Sequence, residues 1–150
     1  MKKINRNKSS LIDTKKEINF VFNGKKYTGF KGDTLGSALL ANNVKLIGRS
    51  FKYHRPRGII SHGSEEPNGL VEVISDHYNE PNTKITTLEL YEGLKAKSQN
   101  CWPSVKYDLM SINDKVSNFI SAGFYYKTFM WPSSFWEKIY EPLIRKAAGL

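Results

Sequence analysis

The residues with chemistry to offer are concentrated between positions 48 and 73, "GRSFKYHRPRGIISHGSEEPNGLVEV". Arg49, Lys52, His54, Arg55 and Arg57 lie close together with no acid among them, and the adjacent carboxylates Glu65 and Glu66 follow. Such a loop has two readings. In one, Arg49, Lys52, Arg55 and Arg57 form a solvated face whose stems cover Phe51 and Tyr53, and His54 is an ordinary surface imidazole. In the other, the loop holds something anionic, a cofactor phosphate or the carboxylates of a neighbouring domain or subunit, through forked guanidinium bonds. Pro56 stiffens the loop and favours a defined shape. Adjacent residues of an extended segment point to opposite sides, so Glu65 and Glu66 do not make a catalytic acid–base pair. The preferred reading pairs Glu65 or Glu66 with Arg55 or Arg57, a polar clasp that closes the loop and leaves a docking surface.

Other reactive side chains are scattered. His54, His62 and His77 have no metal-ligand spacing, which argues against zinc. The single cysteine, Cys101, has no disulfide partner within the chain and, next to Trp102-Pro103, reads as a packing residue rather than a nucleophile. No glycine-rich dinucleotide fingerprint occurs. The sequence therefore assigns no catalytic residue. Lys and Arg number 23 against 14 Asp and Glu, a formal charge of +9 over 150 residues, which invites an anionic partner. Neither a secretory leader nor a twenty-residue apolar run is recognisable, so the expectation is a cytoplasmic chain with no membrane span.

The elements that would position these residues follow from pattern. Residues 1–16 are basic and poor in apolar side chains, and read as a loose arm. "INFVFNGKKYTGF" gives two strands joined by Asn23-Gly24, a pair that tolerates positive φ at both turn centres. In "KGDTLGSALLANN", Asp33 or Thr34 caps a short helix with Leu35, Ala38 and Leu39 on one face, and Gly36 permits close approach of another element. The basic stretch reads as a loop, "GLVEVI" as a strand and "TKITTLELYEGL" as a further strand. Hairpin, helix, loop and strands in that order predict an α+β fold of the β-grasp type over residues 17–99. From residue 100 the chain changes character: it becomes rich in aromatic rings, with helices expected over 110–120 and 134–145. Trp131, Phe135, Trp136 and Tyr140 stand at helix-compatible spacing for packing on a partner. This extension, 100–150, lacks a core of its own and reads as part of a longer polypeptide.

"DTLGSALLANNVKLIGRSFKYHRPRGI" followed by "GSEEPNGLVEV" resembles the amino-terminal region of the alpha subunits of heterotetrameric sarcosine oxidases, and the likeness continues through the extension. The resemblance implies a β-grasp domain similar to those that carry a plant-type [2Fe–2S] cluster. A dinucleotide-binding domain would follow it, and beta, gamma and delta subunits would surround it. FAD, FMN, NAD and tetrahydrofolate are implied for the whole complex and none for this segment. A plant-type cluster needs four thiolates, three of them as C-x4-C-x2-C, and one cysteine cannot supply them. The expected role is that of a non-catalytic docking segment of a flavoenzyme. The alternative, a basic nucleic-acid-binding module, lacks an aromatic-bearing recognition strand, and an electron-transfer ferredoxin fails on cysteine count.

Overall fold

The computed structural model describes residues 12–119 and 132–147. Strands β1 (Asp13–Phe22) and β2 (Lys25–Lys31) form the expected hairpin, with φ of 50° at Asn23 and 74° at Gly24. β1 starts at Asp13 rather than at residue 17, because an irregularity in register lets Asp13 pair with Lys31 before regular pairing resumes at Glu17 and Phe30. Residues 13–16 of the expected arm are thus the start of β1. Phe20 and Tyr27, paired across the hairpin, stack with centroids 5.7 Å apart.

Helix α1 (Leu35–Ala41) settles the choice of cap. The Thr34 hydroxyl accepts from the Ser37 N–H, and the Ser37 hydroxyl accepts from the Thr34 N–H, a reciprocal capping box. Asp33 is buried behind the cap, accepting from the Phe30 N–H at 2.9 Å and the Ser37 hydroxyl at 2.6 Å. The helix lays Leu35, Ala38 and Leu39 onto Phe20 and Phe22 of β1, Val71 and Val73 of β5 (Leu70–Ile74) and Ala96 of β7 (Lys95–Ser98).

The five-stranded sheet runs β2-β1-β7-β5-β6, with β1 and β7 parallel at its centre and β6 (Asn79–Lys84) on an edge. A helix packed across a mixed sheet with parallel central strands is the α+β β-grasp arrangement. Two expectations need correction here. Of the strand expected in "TKITTLELYEGL", only its first residues belong to β6. The remainder crosses the start of α1 and spends its backbone there: the Leu35 N–H donates to the Leu88 carbonyl, the Gly36 N–H to the Ile85 carbonyl at 2.8 Å, and the Leu90 N–H to the Asp33 carbonyl. Its apolar residues Ile85 and Leu90 are buried by that crossing, whereas Leu94, whose carbonyl accepts from the Val21 N–H of β1, is buried where the segment joins the sheet. A Cβ at Gly36 would sit 3.2 Å from the Ile85 oxygen, so glycine allows the close approach, though to this crossing segment. The strand that does pair with β1, β7, is too short and lysine-rich to stand out in the sequence.

In the extension the helix expected over 110–120 is broken into a 3₁₀ turn (Leu109–Ser111), one turn of α2 (Ile112–Lys115) and a second 3₁₀ turn (Ser117–Phe119). The later one resolves into a 3₁₀ turn (Ser133–Phe135), a π turn (Trp136–Tyr140) and α3 (Glu141–Ala147). Among the described residues no helix is long and apolar enough to cross a membrane.

Leu39 is fully buried between α1 and the sheet. Its replacement by alanine should lower unfolding free energy by about 3 kcal/mol, read as a drop in the urea midpoint with unchanged slope.

Candidate functional site

The basic stretch is a small hairpin. β3 (Gly48–Arg49) pairs with β4 (Pro56–Arg57), and Ser50 and Arg55 close the tip through a 2.9 Å backbone bond. Its cations divide. Arg49 and His54 turn inward: Arg49 Nε donates to the Val105 carbonyl at 2.8 Å and Nη1 to the His54 carbonyl at 2.7 Å, and the Arg49 side chain is 9% exposed. His54 Nδ1 lies 2.7 Å from Asp108 Oδ2, and Arg49 Nε lies 3.6 Å from the same oxygen. The other Asp108 oxygen accepts from the Trp102 N–H at 2.9 Å and from the Met110 N–H at 3.3 Å. Asp108 is buried, so this network fastens the hairpin to the start of the extension in low dielectric.

Arg55, Lys52 and Arg57 face outward. Arg55 lies over the Tyr53 ring at 4.7 Å and bonds Asp114 at 2.6 Å, with both side chains about half exposed. Lys52 lies over the same ring at 4.8 Å. Arg57 borders a small cavity of about 340 Å³ with Asn68, Asn82 and Gln99, where the buried Gln99 Nε2 lacks a partner. The anionic contact of the basic hairpin is therefore supplied within the described chain by Asp108 and Asp114. Nothing in the sequence marks either acid, since each lies more than fifty residues from its partner.

The expected clasp is corrected by the same geometry. Among the described residues no ion pair joins Glu65 or Glu66 to Arg55 or Arg57. Glu65 is exposed at the end of a 3₁₀ turn (Gly63–Glu65). Glu66 turns inward and is fully buried. Its Oε2 accepts from the Ile60 N–H at 2.7 Å and the Ser61 N–H at 2.6 Å; its Oε1 accepts from the Asn68 N–H at 2.6 Å and the Gly69 N–H at 3.1 Å. Burial pushes the carboxyl pKa up, but the bonds from Ser61, Asn68, Ile60 and Gly69 outweigh it and hold the group below its ordinary 4.5. The loop is held from outside by Lys84 Nζ on the Ser64 carbonyl at 2.5 Å and the Thr86 hydroxyl on the Gly63 carbonyl at 2.6 Å.

Cys101 is half-buried, and burial followed by the nearby Asp108 charge raises its thiol pKa, which keeps it protonated and fits packing rather than nucleophilic chemistry. In the extension Phe135 and Tyr140 meet with centroids 6.4 Å apart, while Phe135 and Trp136 keep exposed faces. Trp131 lies outside the described residues. Tyr140, Leu143 and Ile144 form one wall of a groove of about 1420 Å³ whose other walls include Phe51, Val105 and Met110. Exposed apolar side chains continue from it through Trp102, Tyr107, Leu109 and Ile112, each more than half exposed.

This fold, with a wrapped loop between the basic hairpin and β5, is that of a ferredoxin-like domain. The family model described as a 2Fe-2S iron-sulfur cluster binding domain matches residues 15–101, and the chain belongs to that family. In particular, it is 57% identical over 143 residues to the sarcosine oxidase subunit alpha of Rhizobium meliloti (strain 1021), covering 95% of this chain and 14% of the relative. It is 39% identical over 88 residues to the sarcosine oxidase subunit alpha of Corynebacterium sp. (strain U-96), covering 57% of this chain and 9% of the relative. The chain thus spans a small part of the length of these relatives. Among solved structures, the L-proline dehydrogenase from P. horikoshii aligns with a TM-score of 0.44 and 24% identity, over 56% of this chain and 16% of that one.

The family's cluster does not fit the residues present. Its thiolate set needs four cysteines and the sequence has one, Cys101. Among the described residues no group of three or more His, Cys, Asp or Glu could hold a metal ion.

Two outcomes follow. Asp108→Asn leaves the largely covered Arg49 and His54 side chains without their acid and should cost about 3 kcal/mol of stability, with faster limited proteolysis between residues 100 and 119. For Glu66 the folded pKa is depressed, so its contribution is complete above 4.5 and disappears as pH falls through the lower folded value. Urea unfolding across the acid range should show wild type losing stability relative to Glu66→Gln as pH drops, the two curves converging at the acid end.

Proposed function

We propose that the chain is a structural and docking segment from the amino-terminal region of an alpha subunit in a cytoplasmic heterotetrameric flavoenzyme. That enzyme oxidatively demethylates sarcosine to glycine, with tetrahydrofolate taking the one-carbon unit and oxygen the electrons. The observation that carries the reading is the 57% identity over 143 residues to a sarcosine oxidase subunit alpha, which continues through the extension. The exposed rings and aliphatic side chains of Trp102, Tyr107, Leu109 and Ile112, beside the groove walled by Leu143 and Ile144, supply an apolar surface of the kind a neighbouring domain or subunit covers. The outward cations Lys52, Arg55 and Arg57 stand as a polar rim around it. On this reading FAD, FMN, NAD and folate are held by the remainder of the alpha subunit and by the beta, gamma and delta subunits. The segment itself supplies no catalytic group. The nucleic-acid alternative draws little from the geometry, because Arg49, His54 and Arg55 are committed to Asp108 and Asp114.

The test is co-expression of the complete alpha subunit with its genomic neighbours, scoring co-purified subunits, bound flavin and sarcosine-dependent peroxide. A Trp102→Ala/Leu109→Ser/Ile112→Ser variant is expected to lose a subunit or flavin while its circular dichroism stays that of wild type. Arg55→Ala/Arg57→Ala should weaken assembly at low salt, with the difference from wild type shrinking as salt rises and screens the charges. Full assembly and peroxide production by both variants would refute the docking role.

A further inference from the structure

Ser61, Glu66 and Gly69 stand at the C-x4-C-x2-C spacing that delivers three thiolates to a plant-type cluster, and they lie in one loop, after α1 and the basic hairpin and before β5. In place of three sulfurs the chain has a hydroxymethyl group, a carboxylate and a hydrogen. The backbone of the loop nevertheless keeps a shape suited to an anion. The N–H groups of Ile60 and Ser61 from one arm and of Asn68 and Gly69 from the other converge on a single point, which is a concavity of amide dipoles of the kind that binds anions and iron–sulfur groups. At that point sits the Glu66 carboxylate, two amides to each oxygen. Room for anything else has been closed. A Cβ added at Gly69 would meet Glu66 Cγ at 3.2 Å and Ile85 Cγ1 at 3.0 Å, so a sulfur-bearing side chain there and the inward Glu66 compete for one volume.

We propose that the Glu66 carboxylate stands in for the iron–sulfur cluster as the internal anion around which this loop folds, which makes the domain a redox-inert scaffold. Its four amides form a small-carboxylate site permanently filled by the chain's own side chain. The charge and the paired oxygens both matter. A glutamine of the same shape has one acceptor oxygen and one NH₂, so two of the amides would face a donor.

The experiment uses the 150-residue chain and two variants, with urea unfolding and ¹⁵N amide spectra as readouts. Glu66→Gln should lower the folding equilibrium constant roughly tenfold or more and shift the amide signals of the pair it leaves facing NH₂. Glu66→Ala empties the site, and sodium formate should then restore stability and the four amide signals saturably, while formamide, neutral and of the same size, should not. Anaerobic treatment of wild type with ferrous iron, sulfide and thiol should give no visible charge-transfer absorption. The proposal is overturned if Glu66→Gln is as stable as wild type with unmoved amides, if formamide rescues as well as formate, or if wild type takes up a cluster. Should Glu66→Ala not fold without formate, recovery on adding formate supports it, and no recovery leaves Glu66→Gln to decide. These readouts concern loop stability alone, so they succeed or fail independently of subunit assembly.

Discussion

A carboxylate withdrawn from water must be given donors to replace its hydration, and Glu66 obtains all of them from main-chain amides of its own loop. That constraint fixes more than one side chain. Gly69, which donates to Glu66, accepts from the Ile85 N–H at 2.9 Å through its own carbonyl, and the Ile85 carbonyl in turn accepts from the Gly36 N–H. The loop, the crossing segment and the start of α1 are therefore one chain of hydrogen bonds, with Glu66 at one end and the helix at the other. Polar connections buried in low dielectric couple such elements tightly, since breaking any link leaves a donor or acceptor stranded.

Another buried acid, Asp108, does for the extension what Glu66 does for the loop. It draws in Arg49 and His54 from the basic hairpin and the Trp102 and Met110 amides from the segment after β7. A stretch with little core of its own is thereby anchored by polar contacts on the side facing the domain, which leaves its apolar side chains turned outward. This division is consistent with a segment that folds against the β-grasp domain with its polar groups and offers its rings to another surface.

The charge of the basic stretch thus has two destinations. Its inward members are structural, satisfied by Asp108 and by the carbonyls of His54 and Val105. The others are stacked about Tyr53, paired with Asp114 through Arg55, or border the cavity beside Arg57.

Local pattern carried a good part of the architecture. Asn23-Gly24 names a tight hairpin because few residue pairs accept positive φ twice, Asp33 and Thr34 name a helix start, and the missing cysteines speak directly against a cluster. These features depend on neighbours in the chain. The segment 85–90 misleads for the opposite reason: its β-rich composition is real, but Ile85, Leu88 and Leu90 spend backbone hydrogen bonds on the start of α1, far away in the chain, which no local pattern can show. The site divides in the same manner. That Arg49, His54 and Glu66 are special is visible from their company in the sequence, whereas their partners are not. Two adjacent glutamates beside a cluster of arginines suggest ion pairs, and only the folded loop, by turning its amides inward, decides that one of them is buried and the other left in solvent. The sequence alone determined the first hairpin, the start of α1, the charge and the absence of cluster ligands, because these are properties of residues and their near neighbours. The tertiary structure alone decided which carboxylate meets which donor, because that choice depends on where chain segments far apart are brought together and on which groups lose their water there.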